Sequence, residues 1–239
     1  SYQDNEVVDI GDAQPLYSGF DINVFKPGLP KYAFYVYKVH GALFDADGAY
    51  AGVDVDGPGD EKTYAGNPIP PHTGSFTLDM RIMRNLNIRV FCDWALEQSM
   101  YNMTSLFQAL MGNNKERNDL ADQLDELTPG TDEYREAANA YAKTDGNYDW
   151  NFIGRSDYFK LREISLSYDL TSILPKVLGN NMISNLIVGV SGTNLWTTTK
   201  YSGADPEVNY SGSVGLDRSN DFLTLQHPTT YNVWLRIGL

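Results

Sequence analysis

The sequence predicts an antiparallel all-β protein with one helical island. Three observations carry that prediction. Several runs alternate apolar and polar residues with period two, the signature of strands with one covered face. Aromatic content is 13%, with 16 Tyr, 10 Phe and 4 Trp, and aromatics favour strands. One charged stretch departs from this and places apolar residues at helical spacing.

Residues 32–44 form the first aromatic β segment. In 76–82, Phe76, Leu78, Met80 and Ile82 share one face and Thr77, Asp79 and Arg81 the other. After the interruption at Arg84-Asn85, residues 86–94 alternate again: Leu86, Ile88, Val90, Cys92 and Trp94 against Asn87, Arg89, Phe91 and Asp93. Two such runs joined by a few polar residues predict a hairpin. The helical island covers about 104–143. Within it Leu120, Leu124 and Leu127 fall at i, i+4 and i+7, Thr128-Pro129-Gly130 breaks the pattern, and Thr131-Asp132-Glu133 reads as a fresh helix start. Two short helices are expected, in a long connection outside the sheet. Alternation then resumes in 158–170, in 185–195 and in 231–239, where Tyr231, Val233, Leu235, Ile237 and Leu239 oppose Asn232, Trp234, Arg236 and Gly238.

The same alternation suits two architectures. A soluble antiparallel sheet turns its apolar face inward; a membrane barrel turns it outward to lipid and its polar face to the lumen. In a barrel, Ile164, Leu166, Val188, Val190, Val233, Leu235 and Ile237 point outward, and Glu163, Ser165, Asn232, Trp234 and Arg236 face the lumen. In a sandwich the apolar set packs together. Aromatics at run ends, namely Tyr158, Phe159, Trp196 and Tyr231, match interfacial girdles. The clear runs number about six, whereas the smallest membrane barrels need about eight strands. An open sheet in lipid would leave backbone edges unsatisfied. A membrane reading therefore requires strands beyond these.

Composition excludes other classes. Lys and Arg total 18 against 31 Asp and Glu, a formal net charge of −13. Nucleic-acid binding and basic attachment to anionic lipid both need the opposite balance. A lone cysteine, Cys92, allows no intrachain disulfide and no Cys-rich zinc site, and reads as a small hydrophobe. His40, His72 and His227 share no ligand spacing and read as isolated residues. No nucleophile elbow, phosphate-binding glycine loop or metalloprotease motif is present, so no catalytic residue and no cofactor is expected. The acidic stretch with Asp45, Asp47, Asp54 and Asp56 offers calcium-type oxygens, but it lacks the EF-hand spacing and reads first as a solvated turn. No stretch is long and apolar enough for a membrane helix. No signal peptide is visible at Ser1-Tyr2-Gln3-Asp4, so the expectation is either a cytosolic protein or a chain whose start is missing.

Four motifs, in order along the chain, carry a family resemblance. Gly66-Asn67-Pro68-Ile69-Pro70 precedes the hairpin, and Tyr101-Asn102 follows it. Asp157-Tyr158-Phe159-Lys160-Leu161-Arg162 opens a strand. The most specific block is Asn194-Leu195-Trp196-Thr197, followed by Tyr201, Gly203 and Asp205-Pro206-Glu207. This order resembles the C-terminal region of SusC/RagA-type TonB-dependent outer-membrane transporters, over about residues 28–239. The resemblance implies a non-enzymatic importer of a bulky nutrient, glycan or peptide, built as a 22-stranded barrel with an N-terminal plug. Residues 1–239 would supply the last barrel strands and their loops, with 104–156 as a helical extracellular insertion. The remaining barrel, the plug and the TonB-contacting region would lie upstream or in another chain. A SusD-like surface lipoprotein would be a partner, lipid the surroundings and the outer membrane the location. The chain ends in Leu239 where the family usually has an aromatic. The alternative reading is a soluble, Tyr-rich β-sandwich that binds carbohydrate; a secreted hydrolase domain is a third reading for which no site is found.

Overall fold

The computed structural model describes residues 1–18, 20–172, 184–212 and 215–238. Nine strands come first: β1 (Leu16–Tyr17), β2 (Asn23–Phe25), β3 (Ala33–Val36), β4 (Val39–Phe44), β5 (Tyr50–Val55), β6 (Thr63–Gly66), β7 (His72–Ile82), β8 (Leu86–Leu96) and β9 (Ser99–Tyr101). Three helices follow: α1 (Met103–Leu110), α2 (Lys115–Glu126) and α3 (Asp132–Ala142). A 3-10 turn at Asp149–Phe152 leads to β10 (Ile153–Arg155), β11 (Tyr158–Asp169), β12 (Asn185–Thr199) and β13 (Thr230–Gly238).

The largest sheet has five antiparallel strands in the order β13-β12-β11-β8-β7. Its register sorts side chains into rows. Met80, Ile88, Leu166, Val190 and Val233 lie across from one another on five successive strands, and so do Ile82, Leu86, Tyr168, Val188 and Leu235. The intervening rows are polar: Asp79, Arg89, Ser165, Ser191 and Asn232 form one of them. Alternation along each strand thus becomes two contrasting faces. The apolar face is uncovered, with Leu166 39%, Val190 45%, Leu235 59% and Val233 80% exposed. The sandwich expectation, in which these residues pack against a second sheet, does not fit those exposures. The five-stranded sheet is itself open, with β7 and β13 at its edges.

The predicted hairpin is present, with Ile82 paired to Leu86. Its turn residues Met83 and Arg84 adopt φ of 51° and 66°, the left-handed geometry that matches the twist of a tight hairpin. A bulge interrupts β11 between Leu161 and Glu163. Opposite it on β12, Asn194 has φ 52°. The extra residue restores the apolar/polar phase on both sides of the bulge.

The two longest connections between strands of this sheet lie at one of its ends. The β7–β8 turn is short, whereas 97–157 joins β8 to β11 and 200–229 joins β12 to β13. Both long connections, and the segment preceding β7, gather at that end. There they build a body with its own cores. Ile22, Phe34, Val36, Tyr101, Met103, Leu106, Ala109 and Phe152 form the larger one. A four-stranded sheet in the order β1-β2-β3-β6 and the ribbons β4-β5 and β9-β10 frame it.

Two expectations need correction. The run 32–44 is not one strand: it breaks after Val36, and β3 and β4 enter different sheets. Its aromatics follow no strict alternation, so period two gave no continuous face to bury. The helical island holds three helices rather than two. Asn102 caps α1 by accepting from the Ser105 N–H at 2.9 Å, and Asn114 caps α2 through the Arg117 N–H at 3.0 Å. The expected start at Thr131 is the N-cap of α3. The leucine stripe of α2 is only half-buried. Met103, Leu106 and Ala109 of α1, by contrast, belong to the main core. Among the described residues no helix is long and apolar enough to cross a membrane, which says nothing of strands. Leu239 lies outside the described residues.

Candidate functional site: an ionic anchor at the sheet rim

Where β11 meets the loop body, its polar face carries a dense ionic cluster. Lys160 stands opposite Asp93 on β8 and Thr197 on β12. Its ammonium is almost fully buried and lies 2.7 Å from Asp205 Oδ1 and 2.6 Å from Glu207 Oε2. Arg162, displaced into the bulge, donates from Nε to Asp93 Oδ1 at 2.7 Å and from its terminal nitrogen to Glu207 Oε1. The Tyr158 hydroxyl donates to Glu207 Oε1 at 2.7 Å. Asp205 Oδ2 accepts from the His227 backbone N–H at 3.1 Å and lies 2.9 Å from His227 Nδ1. Asp205 and Glu207 therefore tie the 200–229 loop down over the polar face of the sheet.

The electrostatics follow from this geometry. Burial alone would raise the Asp205 carboxyl, but hydrogen bonds from Lys160 and His227 outweigh it and hold the group at about 2. Glu207 is likewise held below its ordinary value against its burial, by Arg162, Lys160 and Tyr158. Both carboxylates stay ionised and paired.

Asp205, Glu207 and His227 bring three ligand atoms within 4.8 Å of one another, a spacing that suits a divalent cation. Lys160 already contacts both carboxylates, and Arg162 contacts Glu207. The positive charge such a metal would supply is provided by the chain itself, so the cluster works as a clamp. His227, expected to be isolated, is a member of it. His40 instead pairs with Asp56 at 2.8 Å, and His72 lies 3.6 Å from Glu97.

The sequence block from Asn194 to Glu207 becomes intelligible residue by residue. Asn194 occupies the left-handed position of the bulge and donates to the Pro228 carbonyl at 3.1 Å. Leu195 is half-buried, and Trp196 lies on the exposed side beside Phe159, ring centroids 6.3 Å apart. Thr197 faces Lys160 across the strands. Tyr201 is buried and donates to Asp221 Oδ2 at 2.9 Å. Gly203 lies under the Tyr201 ring, where an added Cβ would come within 2.4 Å of a ring carbon. Pro206 is fully buried between the two anchoring carboxylates. The strand motif Tyr158-Phe159-Lys160-Leu161-Arg162 and the loop motif Asp205-Pro206-Glu207 are thus partners in space. Lys160, Arg162, Asp93 and His227 were not foreseen as site residues. The alternating Lys-x-Arg and Asp-x-Glu charges were the available signal.

The acidic stretch does not converge. Asp45 and Asp47 lie in the β4–β5 turn, where Asp45 Oδ1 accepts from the Asp47 and Ala49 N–H groups at 3.0 and 2.9 Å. Asp54 is at the far end of β5, and Asp56 lies just beyond it. Neighbouring the anchor, a polar cleft of about 350 Å³ opens between Asn102, Asn114, Lys143, Asn151 and Ser202.

Comparison with known proteins agrees with this architecture. No protein-family model matches the chain. TonB-dependent receptor P3 of Formosa agariphila is 28% identical over 184 residues, covering 75% of this chain and 17% of the relative. The RagAB peptide importer in its closed-closed state superposes with TM-score 0.67 at 19% identity, covering 95% of this chain and 25% of that one. Its open-open state gives 0.66 at 18% identity, covering 95% and 24%. The chain therefore spans about a quarter or less of the length of these proteins. In motif order, sequence and fold it is similar to the SusC/RagA-type TonB-dependent transporters.

Proposed function

We propose that this chain forms C-terminal strands and loops of a TonB-dependent importer barrel in the outer membrane. The observation that carries the reading is the five-stranded sheet, with one continuous apolar face left open and one polar face opposite. A bilayer covers such an apolar face without a second protein layer. The distribution of connections supports the same reading. Barrels of this kind have short turns on one side and long loops on the other, and here the two longest connections between strands of the sheet, 97–157 and 200–229, leave the same end of it. Strands beyond β7 and β13 would complete the barrel. The polar rows face its lumen, and the 200–229 loop is held over that lumen by the ionic anchor.

The likeness to a receptor and an importer favours a transporter without enzymatic activity. A plug, TonB contact and a SusD-like surface lipoprotein belong to this reading as partners. A peptide importer among the structural neighbours and the polar cleft in the loop body are compatible with peptide or glycan cargo alike. Cysteine accessibility tests the membrane placement. Introduced at Leu166 or Val190, a cysteine should react with a lipid-soluble maleimide in membranes and resist a charged one; at Ser165 or Asn232 the pattern should reverse. Recovery of the protein in aqueous buffer without detergent would defeat the reading.

A further inference from the structure

The rim of the apolar face holds a groove of about 490 Å³ that the transport reading does not use. Trp94 and Phe159 form one wall, their rings stacked with centroids 6.5 Å apart and planes at 13°. Arg155 and Lys200 also line the groove. Both cations are exposed. Arg155 pairs with Asp157, and Lys200 makes no ion pair among the described residues. The groove lies where the apolar rows end and the loop body begins, so its aromatic wall continues the open face.

We infer that this groove docks the phosphate head group of an anionic lipid, with Arg155 and Lys200 on the phosphate and Trp94 and Phe159 along the first carbons of the acyl chain. The inference rests on the membrane placement proposed above. Charge complementarity and continuity with the apolar face argue for it. Aromatic rings settle at the boundary between hydrocarbon and water, and basic residues at that boundary attract anionic head groups. One guanidinium and one ammonium stand against the single Asp157 carboxylate in its lining, in a chain whose total charge is −13. The site is therefore a local inversion of the molecule's charge, located at the depth where lipid phosphates lie.

Native mass spectrometry of the protein, extracted in its native assembly with mild detergent, tests this. With phosphatidylglycerol and phosphatidylcholine of matched chains, retention should favour phosphatidylglycerol by about tenfold. The double variant R155Q/K200Q should lose most of that preference. R81Q, on the opposite face of the sheet, should keep it and serves as the control for general charge loss. An unchanged preference in the double variant would overturn the inference, as would full displacement of the bound lipid by millimolar inorganic phosphate. Lipid retained with no head-group preference overturns this inference alone; a protein that retains no lipid at all fails the membrane placement first.

Discussion

Lys160 and Asp205, separated by 45 residues in sequence, meet at 2.7 Å with both side chains almost fully buried. One belongs to β11 and the other to the loop that follows β12. Their pairing converts two sequence motifs into a single mechanical joint. Removing one partner of a buried ion pair costs far more than the pair itself contributes, because the other charge is left unsolvated.

Lys160→Met should therefore destabilise the loop anchor by about 3–5 kcal/mol, leaving Asp205 and Glu207 facing each other. Hydrogen exchange should show faster exchange across 200–229 and little change in β7–β8. Uniform exchange identical to the wild type would refute the anchoring role.

The depressed Asp205 carboxyl sets a pH window. Its folded value of about 2 lies below the ordinary value of an aspartate, so its contribution is fully present above about pH 4 and is lost as pH falls toward about 2. Trp196 fluorescence should report loop release only in that acid range. Asp205→Asn should remove this transition, and a midpoint near neutrality in the wild type would contradict the assignment.

Gly48 sits in the β4–β5 turn with φ +79°, and a Cβ there would lie 2.6 Å from the Gly130 Cα, which belongs to backbone and does not rotate away. Gly48→Ala should cost about 1–3 kcal/mol of local stability through overpacking. The hairpin should lift from α3, and the Ala42 N–H, bonded to Asn139 Oδ1 at 2.9 Å, should lose exchange protection.

The helical insertion divides unevenly. α1 and Phe152 are part of the main core, whereas α2 has no buried residue. Gly146 packs directly against Leu110, so the ends of a 112–146 excision are neighbours. On the transport reading proposed above, its deletion should leave heat-modifiable electrophoretic migration intact and alter substrate uptake or co-purification of the proposed SusD-like partner. Loss of assembly would show that α2 and α3 support the fold.

The long strands were legible because each repeats its apolar residue every second position over many residues. Such a run admits only one register against a covered or lipid-facing surface. Short strands such as β2 and β3 lie in a compact body and are buried on both sides, so they carry no alternation to read. The start of α3 at Thr131 was visible through its cap. α1 was merged into a longer island because its apolar residues answer to a core assembled from distant segments. The ionic anchor was hidden for a simpler reason. Local pattern reports which face a residue takes, and pairing Lys160 with Asp205 requires knowing that the loop folds back over the polar face. The Asn194–Glu207 block was visible as a motif, but its physical sense depended on that return.

The open sheet has a consequence for how the chain comes together. Apart from a Tyr2–His72 bridge, the outer edges of β7, with 11 residues, and of β13, with 9, present donors and acceptors with no strand beside them among the described residues. Such edges template any strand that reaches them. Produced without neighbours, this sheet would recruit copies of itself, edge on edge, into ribbons. If the sheet closes into the barrel proposed above, biogenesis is a race between closure and self-association, and it favours delivery of both flanking strands before the apolar face is left waiting in water.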